Sequence, residues 1–177
     1  RGGVPLLEIV TEPDISSSEE AREYIEKLQM IMRYIGVSDC KMQEGSMRCD
    51  VNVSVRPAGS RTFGTRTEIK NMNSVTFMTK AIDYEFKRHI AIIESGEKVV
   101  QQTLKYVEET NSTQSMRNKE DAQDYGYFPD PDLVNIVLKK SYVERIKDEL
   151  PELPGSRFKK YTEVFEIPEN DAMLIVK

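Results

Sequence analysis

The sequence predicts an α+β fold, with a mainly antiparallel sheet and helices on one face. Three observations carry that expectation. Met47, Cys49, Val51, Val53 and Val55 alternate with Arg48, Asp50, Asn52, Ser54 and Arg56, the period of a half-buried strand. Two other stretches, Ser17–Ile35 and Val75–Ile90, repeat their apolar residues at helical spacing. Turn-forming residues punctuate the chain, and from Ser141 onward the pattern changes to short helical pieces.

Val4-Pro5-Leu6-Leu7-Glu8-Ile9-Val10 reads as a buried strand, because it is short, apolar and partly β-branched; Thr11-Glu12-Pro13-Asp14 ends it. Ser16-Ser17-Ser18-Glu19-Glu20 carries overlapping capping boxes, and the helix they start runs to a stop at Gly36. Gln43–Ser46 is a turn or loop. The alternating strand follows, Pro57-Ala58-Gly59-Ser60 reverses the chain, and Thr62–Lys70 returns as the second arm of a hairpin. In that arm Phe63, Thr65, Thr67 and Ile69 share one parity, and Arg66, Glu68 and Lys70 the other. Asn73 or Ser74 caps a helix whose stripe is Val75, Met78, Ile82, Phe86 and Ile90, ending at Gly96. Val99–Val107 and Thr113–Met116 read as strands around Glu109-Thr110-Asn111. Prolines hold Tyr125–Asp132 extended, and Leu133–Leu138 reads as a further strand. A boundary falls near residue 140.

Composition bounds the function. The chain has 177 residues, 25 Lys+Arg against 30 Asp+Glu, a net charge of −5, and is 38% hydrophobic and 31% charged. Those values describe an ordinary globular protein and argue against general nucleic-acid binding by the whole chain. The apolar runs are too short to span a membrane. Cys40 and Cys49 cannot build a disulfide framework or a zinc site, so a reducing compartment is expected. The opening Arg1-Gly2-Gly3-Val4, with neither Met nor a signal-peptide pattern, reads as the start of an excised segment.

The chemistry concentrates on the hairpin. Asp is uncommon in strands, and Asp50 sits in a valine-rich one with Arg48 and Asn52 on its face. The return arm adds Arg66, Glu68 and Lys70. Such a face offers carboxylates to a hard cation and cations to phosphates; equally, it describes a solvated face of cross-strand charge pairs. Glu8 interrupts an apolar strand, either at a surface end or pointing into a cleft. His89, the single histidine, reads as a surface or flanking residue of its helix, and no Ser-His-Asp or Cys-His arrangement is supported. Cys49 falls on the apolar parity as a core thiol. Glycine-rich phosphate loops are absent.

Gly3–Asp14, Glu44–Asn52 and Thr65–Ser74, together with Tyr127-Phe128-Pro129-Asp130-Pro131-Asp132 and Glu152-Leu153-Pro154, resemble in the same order the B subunits of the tRNA-dependent amidotransferase GatCAB. The resemblance implies a cradle domain similar to the glutamine synthetase fold, of which residues 1–139 are the C-terminal part, then a linker and the start of a helical domain over 140–177. It implies an ATP-dependent ligase that phosphorylates the side-chain carboxylate of Glu-tRNA(Gln) or Asp-tRNA(Asn). Ammonia channelled from glutamine hydrolysis then amidates it. The implied cofactor is Mg2+, with ATP as substrate. The implied partners are the amidase A subunit, the small C subunit and misacylated tRNA, in the bacterial cytoplasm or an organelle, with no membrane. Glu8 matches a ligand of one magnesium, and Asp50 and Glu68 match ligands of a nucleotide-associated one. Arg48, Asn52 and Lys70 are assigned to phosphate or substrate from the strand face, with Ser46 and Asn71 as further binding candidates. Gly126 stands where many relatives carry Arg. The segment alone is expected to be inactive. A stand-alone carboxylate-amine ligase and a non-catalytic scaffold are the competing expectations.

Overall fold

Polar caps and proline punctuation set the element boundaries of the computed structural model, which describes residues 4–116, 131–132 and 134–177. Ser17 accepts a hydrogen bond from the Glu20 amide at 3.1 Å, and Glu20 reaches back to the Ser16 amide at 2.7 Å, so helix α1 (Ser18–Tyr34) begins where the capping boxes place it. Strands β1 (Val51–Val53) and β2 (Thr67–Lys70) follow. Ser74 caps helix α2 (Val75–Glu94) by accepting from the Phe77 amide at 3.1 Å. Gly96, at φ +83°, takes the left-handed turn that closes α2. Strands β3 (Thr103–Val107) and β4 (Ser112–Ser115) come next, then α3 (Lys140–Glu149), α4 (Pro154–Lys159), a π-helical turn at Lys160–Val164, and α5 (Glu169–Val176).

The sheet has the order β1-β2-β3-β4. β1 and β2 are antiparallel, pairing Val51 with Ile69, Asn52 with Glu68 and Val53 with Thr67. The expected hairpin therefore forms. α2 carries the chain over to β3, which lies parallel to β2 and pairs Glu68 with Thr103, Ile69 with Leu104 and Lys70 with Lys105. The sheet is mixed, within the α+β class expected. Val53, Thr67, Ile69, Leu104 and Tyr106 are buried on the face that α2 covers. Phe77 of α2 packs on Tyr106 with ring centroids 5.5 Å apart.

The paired strands are shorter than the alternating sequence suggests. Only Val51–Val53 of the run Met47–Arg56 pairs, and Thr67–Lys70 of Thr62–Lys70. Between them Ser60 closes a turn onto Pro57. Gly64 then passes so close to Val55 that a Cβ there would strike the Val55 carbonyl oxygen.

Two expected strands are absent. Val4–Val10 has no strand pairing, with Val4 and Leu6 each 92% exposed, and Val134–Leu138 is likewise unpaired and exposed. A strand exists only through its ladder, and no neighbour lies alongside either segment among the described residues. Leu133 and the proline-held stretch expected over Tyr125–Asp132, except Pro131 and Asp132, lie outside the described residues, as does Gly126.

The chain divides into two compact units, Arg1–Glu26 with Cys49–Gln114, and Lys27–Arg48 with Ser115–Lys177. The sheet and α2 build the first. In the second, the Tyr34 hydroxyl donates to the Val176 carbonyl at 2.7 Å, the Arg157 guanidinium lies 5.4 Å from the Tyr34 ring centre, and Cys40, Pro154, Ala172 and Val176 are buried. Among the described residues no helix is long and apolar enough to cross a membrane.

Candidate functional site

Pairing Asn52 with Glu68 puts the even-numbered residues of both hairpin arms on one face of the sheet. The β2–β3 register adds Thr103 and Lys105 to it. Asp50, Asn52, Glu68 and Lys70 thus stand together on the face opposite α2, as the alternation requires.

Lys70 organises this face. Its Nζ lies 3.3 Å from Glu68 Oε1 and 3.6 Å from Asp50 Oδ2, so one ammonium bridges both carboxylates. Burial of the lysine opposes its charge, but Glu68 and then Asp50 outweigh that and hold the ammonium above the usual lysine range. Glu68 uses its second oxygen as well, accepting from the Thr103 hydroxyl at 3.0 Å. The carboxylate plane is therefore set by two partners on two strands.

The donor set fits a hard divalent cation. Magnesium takes one or two carboxylates and completes its shell with waters and phosphate oxygens. The gap between Asp50 and Glu68 already holds a cation, the Lys70 ammonium, within ion-pair distance of both. Among the described residues no group of three or more His, Cys, Asp and Glu side chains could hold a metal ion, so Glu8, on an exposed segment outside any strand, forms no such group with Asp50 and Glu68. Ser46 and Arg48 belong to the second unit and Asp50 to the first. Asn71 follows β2 in the left-handed conformation at φ 61° and is exposed. Arg66 is exposed just ahead of β2.

The opposite face of β2 holds a second ionic group. Glu85 and His89, one helical turn apart on α2, have no exposed surface. Arg88 grips Glu85 with a two-pronged fork, Nε to Oε1 at 2.8 Å and the terminal nitrogen to Oε2 at 2.7 Å. The Thr67 hydroxyl donates to Glu85 Oε2 at 2.9 Å and lies 3.0 Å from His89 Nε2, from which its lone pairs can accept. Thr113 of β4 donates to Glu85 Oε1. Burial pushes the Glu85 carboxyl up, but hydrogen bonds from His89, Arg88, Thr113 and Thr67 outweigh it and bring the group down to about 2. His89 is therefore an interior residue rather than a surface one, and its Nδ1 is buried without a hydrogen-bond partner among the described residues.

Cys49 sits against the Met78 thioether, sulfur to sulfur 3.6 Å, and is partly buried. Burial, then the Asp50 charge, raises its thiol to about 11, so it is not a nucleophile at neutral pH. A surface hollow lined by Val137, Leu138, Lys139, Ser141, Tyr142 and Arg145 shares no residue with the polar face.

Four residues of these groups, Thr103, Lys105, Glu85 and Arg88, escaped the sequence reading. Thr103 and Lys105 have equal parity within an expected strand, which told of a shared face but not of its neighbour. Glu85 lies four residues before His89 and three before Arg88, a helical spacing that was the available signal.

An α+β domain with an ionic, open sheet face backed by one long helix is the class this geometry defines. The chain belongs to the family described as the GatB/GatE catalytic domain, whose model matches residues 1–144. It is 50% identical over 177 residues to the B subunit of the aspartyl/glutamyl-tRNA(Asn/Gln) amidotransferase of Thermodesulfovibrio yellowstonii, covering 100% of this chain and 37% of that protein. It is 54% identical over 175 residues to the protein of the same name in Moorella thermoacetica, 99% of this chain and 37% of that one. Against that of Caldicellulosiruptor saccharolyticus it is 55% identical over 172 residues, 97% of this chain and 36% of the relative. The chain thus spans just over a third of the length of these relatives.

Proposed function

We propose that this chain is the nucleotide- and metal-facing part of an amidotransferase B subunit, which converts Glu-tRNA(Gln) or Asp-tRNA(Asn) to the amide form. The observation that carries the reading is the shared face of Asp50, Asn52, Glu68 and Lys70. A carboxylate is a poor acyl donor, because its leaving group would be oxide. In the proposed reaction a side-chain carboxylate oxygen attacks the γ-phosphorus of ATP, ADP leaves, and an acyl phosphate forms. Ammonia then attacks the acyl carbon and expels phosphate. Such phosphoryl transfer depends on positioning and charge neutralisation more than on covalent help from the protein.

Asp50 and Glu68 would hold Mg2+, which neutralises phosphate charge and orients the transferred group. Thr103 keeps the Glu68 carboxylate oriented. Lys70 and Asn52 would meet phosphate or substrate oxygens. Ammonia is itself the nucleophile and needs none from the protein. Arg48 is assigned from the strand face, Ser46 and Asn71 are further binding candidates, and the Glu8 metal role is carried by resemblance. The amidase and small subunits of the same complex and tRNA are the proposed partners, in a bacterial cytoplasm.

The test is made in the assembled enzyme. Asp50→Asn and Glu68→Gln are expected to lower amide formation on misacylated tRNA by on the order of a hundredfold or more, with glutamine hydrolysis retained. Wild-type amidation by both variants would sink the assignment. Turnover with free glutamate or aspartate in place of aminoacyl-tRNA would favour a stand-alone ligase instead.

A further inference from the structure

We propose that Lys70 is an internal stand-in for the divalent ion. It holds Asp50 and Glu68 together when no ion is bound, and it surrenders that place, turning its charge toward a phosphate, when one arrives. The inference rests on the metal reading above but concerns Lys70 itself.

Two carboxylates facing each other across a hairpin repel unless a cation lies between them. Here the cation is built in, 3.3 Å from one and 3.6 Å from the other. Magnesium would need oxygens at about 2.0–2.1 Å from both groups, so the ammonium and the ion cannot share the gap. The lysine side chain is 39% exposed and its stem is flexible, so it can leave without unpacking the core. Its next neighbour on that face is Lys105, paired with it in the β2–β3 register. Lys105 makes no ion pair among the described residues. Like charges side by side on a sheet oppose one another. A displaced Lys70 beside Lys105 therefore makes a two-ammonium cradle that an anion would stabilise. Arrival of the ion and creation of a phosphate seat become one event.

The experiment measures Mn2+ affinity, by calorimetry or electron paramagnetic resonance, on the complete natural chain without nucleotide. ATP affinity is measured separately at saturating Mg2+. Lys70→Met is expected to bind Mn2+ about fivefold more tightly, because the internal competitor is gone, and ATP about tenfold more weakly. Lys70→Arg keeps a cation in the gap and should stay near wild type for Mn2+. Asp50→Asn and Glu68→Gln should each weaken Mn2+ at least tenfold. If the carboxylate variants lose Mn2+ while Lys70→Met fails to tighten it, or binds ATP as well as wild type, the stand-in role is wrong and the metal reading stands. If none of the four substitutions changes Mn2+ binding, no ion uses this gap and both fail.

Discussion

Thr67 and Glu68 are adjacent in the chain, and each joins an ionic group with a different character. Glu68 faces outward to Lys70 and Asp50, whose side chains are 33%, 39% and 50% exposed. Thr67 faces inward to Glu85 and His89, which have no exposed surface. The outer group is in contact with solvent and open to an incoming ion. In the inner group Glu85 links Thr67, Arg88, His89 and Thr113 across β2, α2 and β4, and His89 Nδ1 is left without a partner among the described residues. Burial decides what the same charges do. Outside they can exchange partners, whereas inside they fix one arrangement of helix and strands.

The largest expected effect therefore belongs to Glu85. Glu85→Ala removes the shared acceptor of Arg88, Thr67 and Thr113 and leaves the part-buried Arg88 guanidinium without its carboxylate. We expect a loss of about 3–5 kcal/mol in urea denaturation. A loss below about 1 kcal/mol would show that water reaches this group and that the contrast between the faces is overstated.

Acid sharpens the same contrast. The Glu85 carboxyl is held at about 2, against an ordinary 4.5. A depressed folded value gives stability that is present above about 4.5 and is lost as pH falls from there toward about 2. The difference corresponds to up to about 3 kcal/mol. Stability measured between pH 6 and pH 2.5 should fall steeply in the wild type, and Glu85→Gln should flatten that dependence. An unchanged slope in the variant would assign the acid sensitivity elsewhere.

The hairpin that presents the outer group depends on Gly64. Its backbone passes the Val55 carbonyl where any Cβ would overlap. Gly64→Ala is expected to destabilise by about 1–3 kcal/mol, because the loop must move aside. Since that loop sets how the two arms enter the sheet, the substitution should also weaken Mn2+ binding if Asp50 and Glu68 hold the ion. A fully stable variant would mean that the loop yields freely.

How much of this was readable from the sequence depended on whether the determining interaction was local. The face shared by Asp50, Asn52, Glu68 and Lys70 was legible, because the period-2 pleat alone fixes it once a hairpin closes at Pro57–Ser60. Lys105 was not, because its place beside Lys70 comes from a parallel pairing across the whole of α2. The helix itself misled in a definite way. Its apolar stripe is Val75, Met78, Ile82, Phe86 and Ile90, yet Met78, Thr79, Ala81, Glu85 and His89 are the buried residues, and Phe86 is 50% exposed. The buried stripe is turned by about one residue from the apolar one, toward the side that seats Glu85 against Thr67 and Thr113. Counting hydrophobic residues has no term for that network. Val4–Val10 and Val134–Leu138 have strand composition without strand partners among the described residues, and composition alone cannot supply a ladder.

The smallest expected effect closes the comparison, because it applies the same chemical change to the other side of the strand. Asp50→Asn, like Glu85→Gln, replaces a carboxylate by an amide of nearly equal size. Asp50 is half exposed, and its loss leaves Lys70 paired with Glu68 at 3.3 Å. An exposed pair of this kind contributes about 0–1 kcal/mol and is screened by salt. Asp50→Asn should therefore shift stability by less than about 1 kcal/mol in low salt, and the shift should vanish in 1 M NaCl, where the Debye length is only about 3 Å. Glu85→Gln should keep most of its larger deficit at the same salt concentration, because Glu85 itself has no exposed surface and salt screens a buried group far less. If Asp50→Asn proves as damaging as Glu85→Gln, the outer charges also hold the sheet together. An ion could then not displace Lys70 without weakening the fold.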